Sequence, residues 1–578
     1  MKVNTLPLFA SMALLLVVVS CRRTAPAVSF DPAQLPPAPS CAPQVSDQLW
    51  YATDEVAPLF GDLGAYRFPV SCTNELAQRY ISQGLLLAYG FNHAEAARSF
   101  HSAMRLAPDC AMAYWGFAYV LGPNYNAGME SDNYERAYTA IQQAVRLVED
   151  SGSPKEQALI AALAKRYVAQ APDDRTALDI AYADAMRQVR AAFPNDPDIA
   201  TLSAEALMDL HPWDLWEEDG RPKDWTPEIL TGLEAAIALD PIHPGANHLY
   251  IHAVEASKQP EKGLSAAKVF DDKTVPGAGH LLHMPSHIYI RTGDYHLGSL
   301  ANIHAIAADQ DYITACRAQG AYPLIYHPHN YHFLVATATL EGHEEWAISA
   351  AERMAEQVES ELLEDPNWGI LQQFYTIHYN TLVKFERWED ILAKDLLDES
   401  IVFGAIMQQY ARGMAFLASG EAASAQAALN QLIQYAESEE LAEIVLGANS
   451  VSDLSSIARL VLEGQMAASA GDLHRGMELL EDAIAIEDAL NYIEPPDWFF
   501  SVRHRLGDLL VSAGEFERAI AVYLQDLQKF PRNGWALHGL LLAYTRLGDD
   551  DKAKATEDLL KEVWQTATIS LEGSRIRS

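Results

Sequence analysis

Residues 84–108 read GLLLAYGFNHAEAARSFHSAMRLAP, and their order of small and aromatic residues returns in residues 507–531, GDLLVSAGEFERAIAVYLQDLQKFP. The matching positions lie at offsets 0, 12, 16, 19 and 24: Gly84, Ala96, Phe100, Ala103 and Pro108, then Gly507, Ala519, Tyr523, Asp526 and Pro531. From about residue 73 onward, apolar residues recur with the period of a helix, and strand-like alternation is hard to find. The pattern predicts an all-α fold.

This order of residues resembles the tetratricopeptide repeat (TPR), about 34 residues that form two antiparallel helices with small residues where the helices touch. Weaker copies occur at residues 291–309 and 468–488. We therefore expect a TPR-type α-solenoid of antiparallel helix pairs. Two stretches, residues 122–132 and 211–225, interrupt the period, and we expect them to be insertions on one face of the solenoid.

The first residues predict export. Lys2 is followed by an apolar run that is too short to span a bilayer, as in a signal peptide. The sequence Val18-Val19-Ser20-Cys21 resembles the lipobox of bacterial lipoproteins, which implies an acylated Cys21 anchored in the lipid bilayer. Arg22 does not resemble the aspartate that retains such proteins in the inner membrane, so the resemblance implies the outer membrane, facing the periplasm. The alternative is an ordinary cleaved signal with an unrelated cysteine.

The predicted organisation has four parts. Residues 1–21 form the signal peptide and residues 22–44, rich in Pro and Ala, form a flexible tether. Residues 45–400 form a TPR-like domain with a His-rich centre, and residues 401–578 form C-terminal TPR repeats.

Charge and cysteine content exclude several classes of function. The chain has 78 acidic and 41 basic residues, a net charge of -37, which argues against nucleic acid as a partner. Disulfides are permitted in an exported chain, and the four cysteines after Cys21 are Cys41, Cys72, Cys110 and Cys316. The sequence contains no CxxC, no HExxH and no G-x-S-x-G motif. A thiolate zinc knuckle and a thermolysin-like peptidase therefore have no support.

Three histidines share one helix face in residues 278–296, AGHLLHMPSHIYIRTGDYH. With Gly293 as the turn between paired helices, His280, His283 and His287 take positions 2, 5 and 9 of the first helix, a single narrow stripe. In TPR proteins these positions usually line the concave groove. The resemblance therefore implies that the three histidines face a groove.

The neighbouring repeats carry the same residue type in the same register. His248 and His252 lie 35 residues before His283 and His287, and Glu255 continues their stripe. In the next repeat, with Gly342 as the turn, positions 2 and 5 are again histidine. The predicted cluster comprises His248, His252, Glu255, His280, His283, His287, His329 and His332.

Such a cluster predicts a transition-metal site. Imidazoles at i and i+4 can chelate one ion, and this ligand type suits zinc, copper, iron or nickel better than calcium or magnesium. Three ligands with an open position for water would serve a hydrolase or an oxidase. The alternatives are a hydrogen-bonding pocket for an anionic or peptide ligand, and a structural polar seam. Burying so many imidazoles without partners would cost about several kcal/mol in total, which disfavours the structural polar seam.

The motifs at residues 247–257, 276–295 and 328–334, NHLYIHAVEAS, PGAGHLLHMPSHIYIRTGDY and PHNYHFL, resemble a group of bacterial TPR proteins with a His-rich centre. This resemblance implies a shared site and supplies no activity. Two functions fit the sequence: an envelope-anchored protein with a metal site in the repeat groove, which would serve an enzyme, or a scaffold that binds a peptide or protein partner without catalysis.

Overall fold

The computed structural model describes residues 48–53, 55–316, 322–358, 362–365, 368–444 and 446–576. Within them the regular structure is helical, apart from three isolated β-bridges. The first half contains α1 (Gln48–Tyr51), α2 (Glu75–Tyr89), α3 (His93–Leu106), α4 (Ala111–Val120), α5 (Tyr134–Ser151), α6 (Pro154–Leu163), α7 (Thr176–Ala192), α8 (Pro197–Met208), α9 (Thr226–Leu239), α10 (Pro244–Glu255), α11 (Leu264–Asp271), α12 (Gly279–His283) and α13 (Pro285–Thr292).

The second half continues the helical series. It contains α14 (Tyr295–Cys316), α15 (His327–Glu341), α16 (Glu344–Glu356), α17 (Gly369–Lys384), α18 (Trp388–Ala393), α19 (Val402–Ala418), α20 (Ala422–Ala436), α21 (Val451–Ser469), α22 (Leu473–Ala489), α23 (Arg503–Ala513), α24 (Phe516–Lys529), α25 (Gly534–Leu547) and α26 (Asp550–Val563). One π-helical turn, Tyr322–Tyr326, leads directly into α15.

Helices that follow one another along the chain pack side by side, as α2 does with α3, α19 with α20 and α25 with α26. Short turns force each pair to run antiparallel. Gly293 and Gly342, which the sequence register assigns to turns, adopt left-handed φ angles of 81° and 77°, which favour glycine. The TPR-type α-solenoid is confirmed.

The repeat offsets have a steric basis. Phe100, at offset 16, packs between Gly84 and Gly116, where an added Cβ would lie 2.7 Å and 2.0 Å from its ring. Tyr523 contacts Gly507 in the same way. The repeat therefore needs glycine opposite each large ring, because a side chain at the glycine positions would keep the helices apart.

The C-terminal repeats return to the centre of the chain. The Tyr295 hydroxyl donates to the Pro531 carbonyl at 2.7 Å, and Trp535 Nε1 donates to the Thr339 carbonyl at 2.7 Å. These bonds connect segments about 200 residues apart in sequence. The superhelix therefore brings late repeats against the His-rich ones.

Some sequence predictions fall outside the described residues. The signal peptide, the tether, Cys21 and Cys41 are among them. The predicted division of the chain at residue 400 falls in the loop between α18 and α19 and stays a prediction. Cys72 and Cys110 are both buried and are not joined by a disulfide. Burial and the neighbouring Cys72 raise the pKa of the Cys110 thiol. Among the described helices, none combines the length and apolar character that crossing a membrane requires.

Candidate metal centre

Four helices, α10, α12, α13 and α15, position the predicted histidines. The sequence pattern treats residues 280–292 as one helix, but α12 ends at His283 and α13 begins at Pro285. Pro285 has no N–H for the helix ladder, which explains the break. Met284, between them, keeps helical angles of -53° and -34°, so the two segments stay in line and the histidines share one face.

The structure brings six of the seven predicted histidines together in two trios. Trio one is His248, His252 and His280, and trio two is His283, His287 and His329; a third set, His252, Glu255 and His287, takes one histidine from each trio. Within each trio, the nitrogens that could bind an ion all lie within 4.8 Å of one another. The Nε2 atoms of His248 and His280 are 3.1 Å apart, and those of His283 and His287 are 2.8 Å apart.

Glu255 connects the two trios. Its Oε1 accepts from Nδ1 of His252 at 2.7 Å, and its Oε2 accepts from Nδ1 of His287 at 2.5 Å. Burial works against the charged carboxylate, yet His287 and His252 hold the pKa of Glu255 at about 2. An ionised carboxylate between two imidazoles fixes both rings with Nδ1 protonated and Nε2 as the free lone pair.

His283 is fixed in the same tautomer by two groups, Asn302 of α14 and Ser286 of α13. Its Nδ1 donates to Asn302 Oδ1 at 2.7 Å, and the orientation of that amide is set because Asn302 Nδ2 donates to the Gly298 carbonyl. The Ser286 hydroxyl gives its proton to the His283 carbonyl at 2.7 Å, so its oxygen can only accept from Nδ1, 3.2 Å away. Nε2 of His283 is therefore a lone pair.

His248 completes this pattern through the backbone. Its Nδ1 donates to the Tyr89 carbonyl at the end of α2, at 2.5 Å. Burial first, and then the neighbouring imidazoles, hold the pKa values of His248, His280 and His283 well below the ordinary value. Neutral rings with Nδ1 anchored and Nε2 free are the form in which histidine binds metals.

The remaining histidines are less constrained. The buried Nδ1 of His280 and Nε2 of His252 have no hydrogen-bond partner among the described residues. His329 is partly exposed and lies 4.8 Å from the His283 ring. His332 belongs to neither trio, since its ring packs against Phe374 and Phe499. Burial lowers the pKa of His332 to about 3.

The cluster lies under loops and not in an open groove, which corrects the expectation from the repeat register. His248 and His283 have no exposed surface. Phe91 contacts His248 at a ring distance of 4.5 Å, and Tyr125 and Trp213 contact His252 at 5.7 and 5.6 Å. These aromatic residues come from the turn after α2 and from both predicted insertions.

Two of the covering residues have strained backbones. Phe91 and Trp213 adopt positive φ angles of 55° and 58°, which side chains other than glycine rarely adopt. Trp213 Nε1 donates to Asn126 Oδ1 at 3.1 Å, and Asn126 Nδ2 donates to the Tyr326 hydroxyl at 3.2 Å. Such strain persists where the surroundings enforce it and is concentrated at functional sites.

The sequence did not reveal the contribution of the C-terminal repeats. Glu494 is buried, Tyr492 donates to its Oε1 at 2.7 Å, and Arg291 of α13 lies 3.7 Å from the same carboxylate. Burial raises the pKa of Glu494 to about 7, with a further contribution from the charge of Glu255. No local motif marks Glu494, because it reaches the centre only through the return of the superhelix.

No protein-family model and no curated protein matches the chain. Among solved structures it is similar to the human IFIT1 dimer with m7Gppp-AAAA, at 12% identity over 85% of this chain and 90% of that chain, with a TM-score of 0.29. It is also similar to the Naa15/Naa10 structure bound to HypK-THB, at 12% identity over 85% and 90% of the chains, with a TM-score of 0.25. At these scores neither likeness carries an argument, and the TPR-type α-solenoid rests on the helix pairs and turns of this chain.

Proposed function

We propose that the histidine cluster is a transition-metal centre. The observation that carries this proposal is the pair His283 and His287, whose Nε2 atoms face each other at 2.8 Å. Both rings carry their proton on Nδ1, because Asn302 and Glu255 accept there. Two lone pairs at this distance repel each other unless a cation lies between or beside them. A metal ion is the cation that imidazole lone pairs on adjacent helix turns chelate.

A proton on His287, balanced by Glu255, is the competing cation. It would satisfy the pair His283 and His287, but it would leave Nε2 of His252 buried without a partner. It would also leave unexplained why His329 lies 4.8 Å from the His283 ring. An ion accounts for all three members of each trio, so the metal is favoured.

The surroundings suit a reaction centre. A metal held by three imidazoles keeps a position open for water or substrate. His329 is partly exposed, and a cavity reaches His280 beside Asn92, Tyr312 and Tyr322. We infer that the centre serves a metal-dependent enzyme, a hydrolase or an oxidase, with the open position reached from one of these sides.

Metal analysis of the purified full chain tests the proposal. We expect bound transition metal after reconstitution and at least a halved content in His283→Ala/His287→Ala. The matched control is His304→Ala/His474→Ala, which removes two histidines outside the trios and should leave the content unchanged. Negligible metal in the wild-type chain and the trio variant alike would refute the proposal.

The second candidate function was a groove in which the histidines bind a peptide. Burial favours the metal for these residues, because a peptide could not reach His248 or His283, whose exposed fractions are 0%. Crosslinking of the full chain and of His283→Ala/His287→Ala separates the two functions. A partner captured by the wild-type chain and lost in this variant would restore the peptide-binding function.

We further propose that the protein is anchored in the cell envelope, in the outer membrane and facing the periplasm. The support is the apolar run before Val18-Val19-Ser20-Cys21 and the presence of Arg22 after it. Labelling cells with a radioactive fatty acid should mark the wild-type chain and leave Cys21→Ser unlabelled. Equal labelling of both, or of neither, would refute the anchor.

A further inference from the structure

We propose that this centre binds two copper ions, one on each trio. The inference rests on the proposed metal function and adds the number and the identity of the ions. It follows from the matching geometry of the trios, from their separation into two groups, and from the chemistry of the six ligands.

The two trios have nearly the same shape. In trio one the ring centroids of His252 and His280 both lie 4.9 Å from that of His248, and 6.4 Å from each other. In trio two the corresponding distances from His283 are 4.7 and 4.8 Å, with 5.8 Å between the outer rings. Nitrogen ligands about 2 Å from one ion place ring centroids roughly 4.5 to 6 Å apart. Trio two has these dimensions, and trio one reaches them once His252 and His280, now 6.4 Å apart, move slightly closer to each other.

The trios are neighbours but remain distinct. Their closest rings are His252 and His287, 5.1 Å apart, and His280 and His283, 5.5 Å apart. Among the described residues the ligand atoms meet the distance limit in these two trios and in one set that spans them, His252, Glu255 and His287. In that set Nδ1 of each histidine already donates to Glu255, so the Nε2 atoms remain available to the two trios. An ion on trio two alone would leave Nε2 of His252 buried without a partner, whereas a second ion on trio one would bind it.

Glu255 belongs between the sites and not on an ion. Both of its oxygens already accept from Nδ1 atoms, one in each trio. A carboxylate in this position orients the imidazoles and makes them more basic. It also supplies one negative charge that is bonded to a ligand of each proposed ion, which offsets the repulsion between the ions.

The ligand set selects copper. Six imidazoles with no thiolate suit copper, zinc, iron or nickel better than manganese, and Cu(II) binds nitrogen donors most tightly among the divalent ions. Burial adds a second reason. Two Cu(I) ions bring two charges into the interior where two Zn²⁺ ions bring four, and buried charge without a partner is costly. Two zinc ions are therefore the competing outcome.

The test is reconstitution of the full chain with equimolar copper and zinc under reducing conditions, followed by removal of loose metal. We expect two copper ions and less than a tenth as much zinc. His280→Gln and His329→Gln each remove one ligand of one trio, and each should lower the content from two copper ions to one. Thermal melting followed by circular dichroism checks that both variants are folded.

Oxidation distinguishes a coupled pair from two independent ions. Each Cu(I) gives one electron to ferricyanide, so two ferricyanide ions are reduced for each chain. The oxidised wild-type chain should show little electron paramagnetic resonance, because neighbouring Cu(II) spins couple, and both variants should show the signal of one Cu(II). One copper ion per wild-type chain, retention of zinc over copper, or two uncoupled signals would overturn this inference and leave the metal function standing. The absence of all metal would overturn the metal function itself.

Discussion

His287 in the centre and His504 in the C-terminal repeats are both buried beside a carboxylate, and they differ at one ring nitrogen. His504 Nδ1 accepts from Lys384 Nζ at 2.8 Å, and its Nε2 donates to Asp526 Oδ2 at 2.9 Å. His287 donates to Glu255 through Nδ1, while its Nε2 faces another lone pair. Both ring nitrogens of His504 therefore have hydrogen-bond partners within the protein, whereas Nε2 of His287 needs a cation.

This difference shows what identifies a ligand histidine. Burial does not, since both rings are buried, and a carboxylate partner does not, since the pKa values of Glu255 and Asp526 are both held at about 2. The partner of the second ring nitrogen does. The Asp526 carboxylate draws the proton of His504 onto Nε2, and Lys384 lies against its Nδ1. Glu255 draws the proton of His287 onto Nδ1, and its Nε2 faces only another lone pair.

The largest expected effect comes from removing the metal. Binding to the folded state alone stabilises it by about 4 kcal/mol per site at a free metal concentration of 1,000 times Kd. A chelator should therefore lower the free energy of unfolding of the wild-type chain by that amount or more, measured by urea denaturation. His283→Ala/His287→Ala should respond by about half as much. Equal denaturation curves with and without chelator would contradict the proposal that His287 needs a cation and His504 does not.

Breaking the pair at His504 should reduce stability and leave metal content unchanged. Asp526→Asn replaces a buried acceptor that His504 and Asn533 both use. Removing one partner of a buried charge-assisted pair costs about 3 kcal/mol. Urea denaturation measures the loss, and metal analysis should still find the wild-type content. A parallel loss of metal would mean that the two regions are coupled.

The orienting carboxylate should have an intermediate effect. Glu255→Gln keeps the size of the side chain but weakens its hold on Nδ1 of His252 and His287. Groups of this kind change metal affinity by roughly 10 to 100-fold. Competition with a chelator of known affinity measures the change. The control is Glu487→Gln, a buried glutamate of α22 outside the trios, which should bind metal like the wild-type chain.

The smallest expected effect concerns the backbone alone. Gly514 ends α23 with a φ of 80°, and nothing lies within 4 Å of the place where a Cβ would be. Gly514→Ala should cost about 1 kcal/mol, because alanine disfavours this conformation. Metal content should remain at the wild-type value. A loss of metal in this variant would indicate that any destabilisation of the fold releases the metal. The metal losses of the more destabilised variants could then not be assigned to the trios.

The sequence predicts the repeat and most of the cluster, because both depend on spacing along helices. Gly293 and Gly342 set the register, and the register places the histidines of both trios on one side. Spacing does not predict that Phe91, Tyr125 and Trp213 cover the histidines, since these residues lie in irregular turns that are distant from the histidines in sequence. His332 has the same register position as His283, but the returning Phe499 lies against its ring. Which atom of Glu255 meets which ring also depends on tertiary packing.

The bond from His248 to the Tyr89 carbonyl has a consequence for how the chain unfolds. Solenoids usually unfold in parts, because each repeat contacts only its neighbours. This bond joins residues 159 positions apart, and the proposed ions would tie three further helices, α12, α13 and α15, to the same point. Loading the centre with metal should therefore merge separate unfolding steps into one cooperative transition, and the chain should fold slowly for a helical protein because so many of its contacts are distant in sequence.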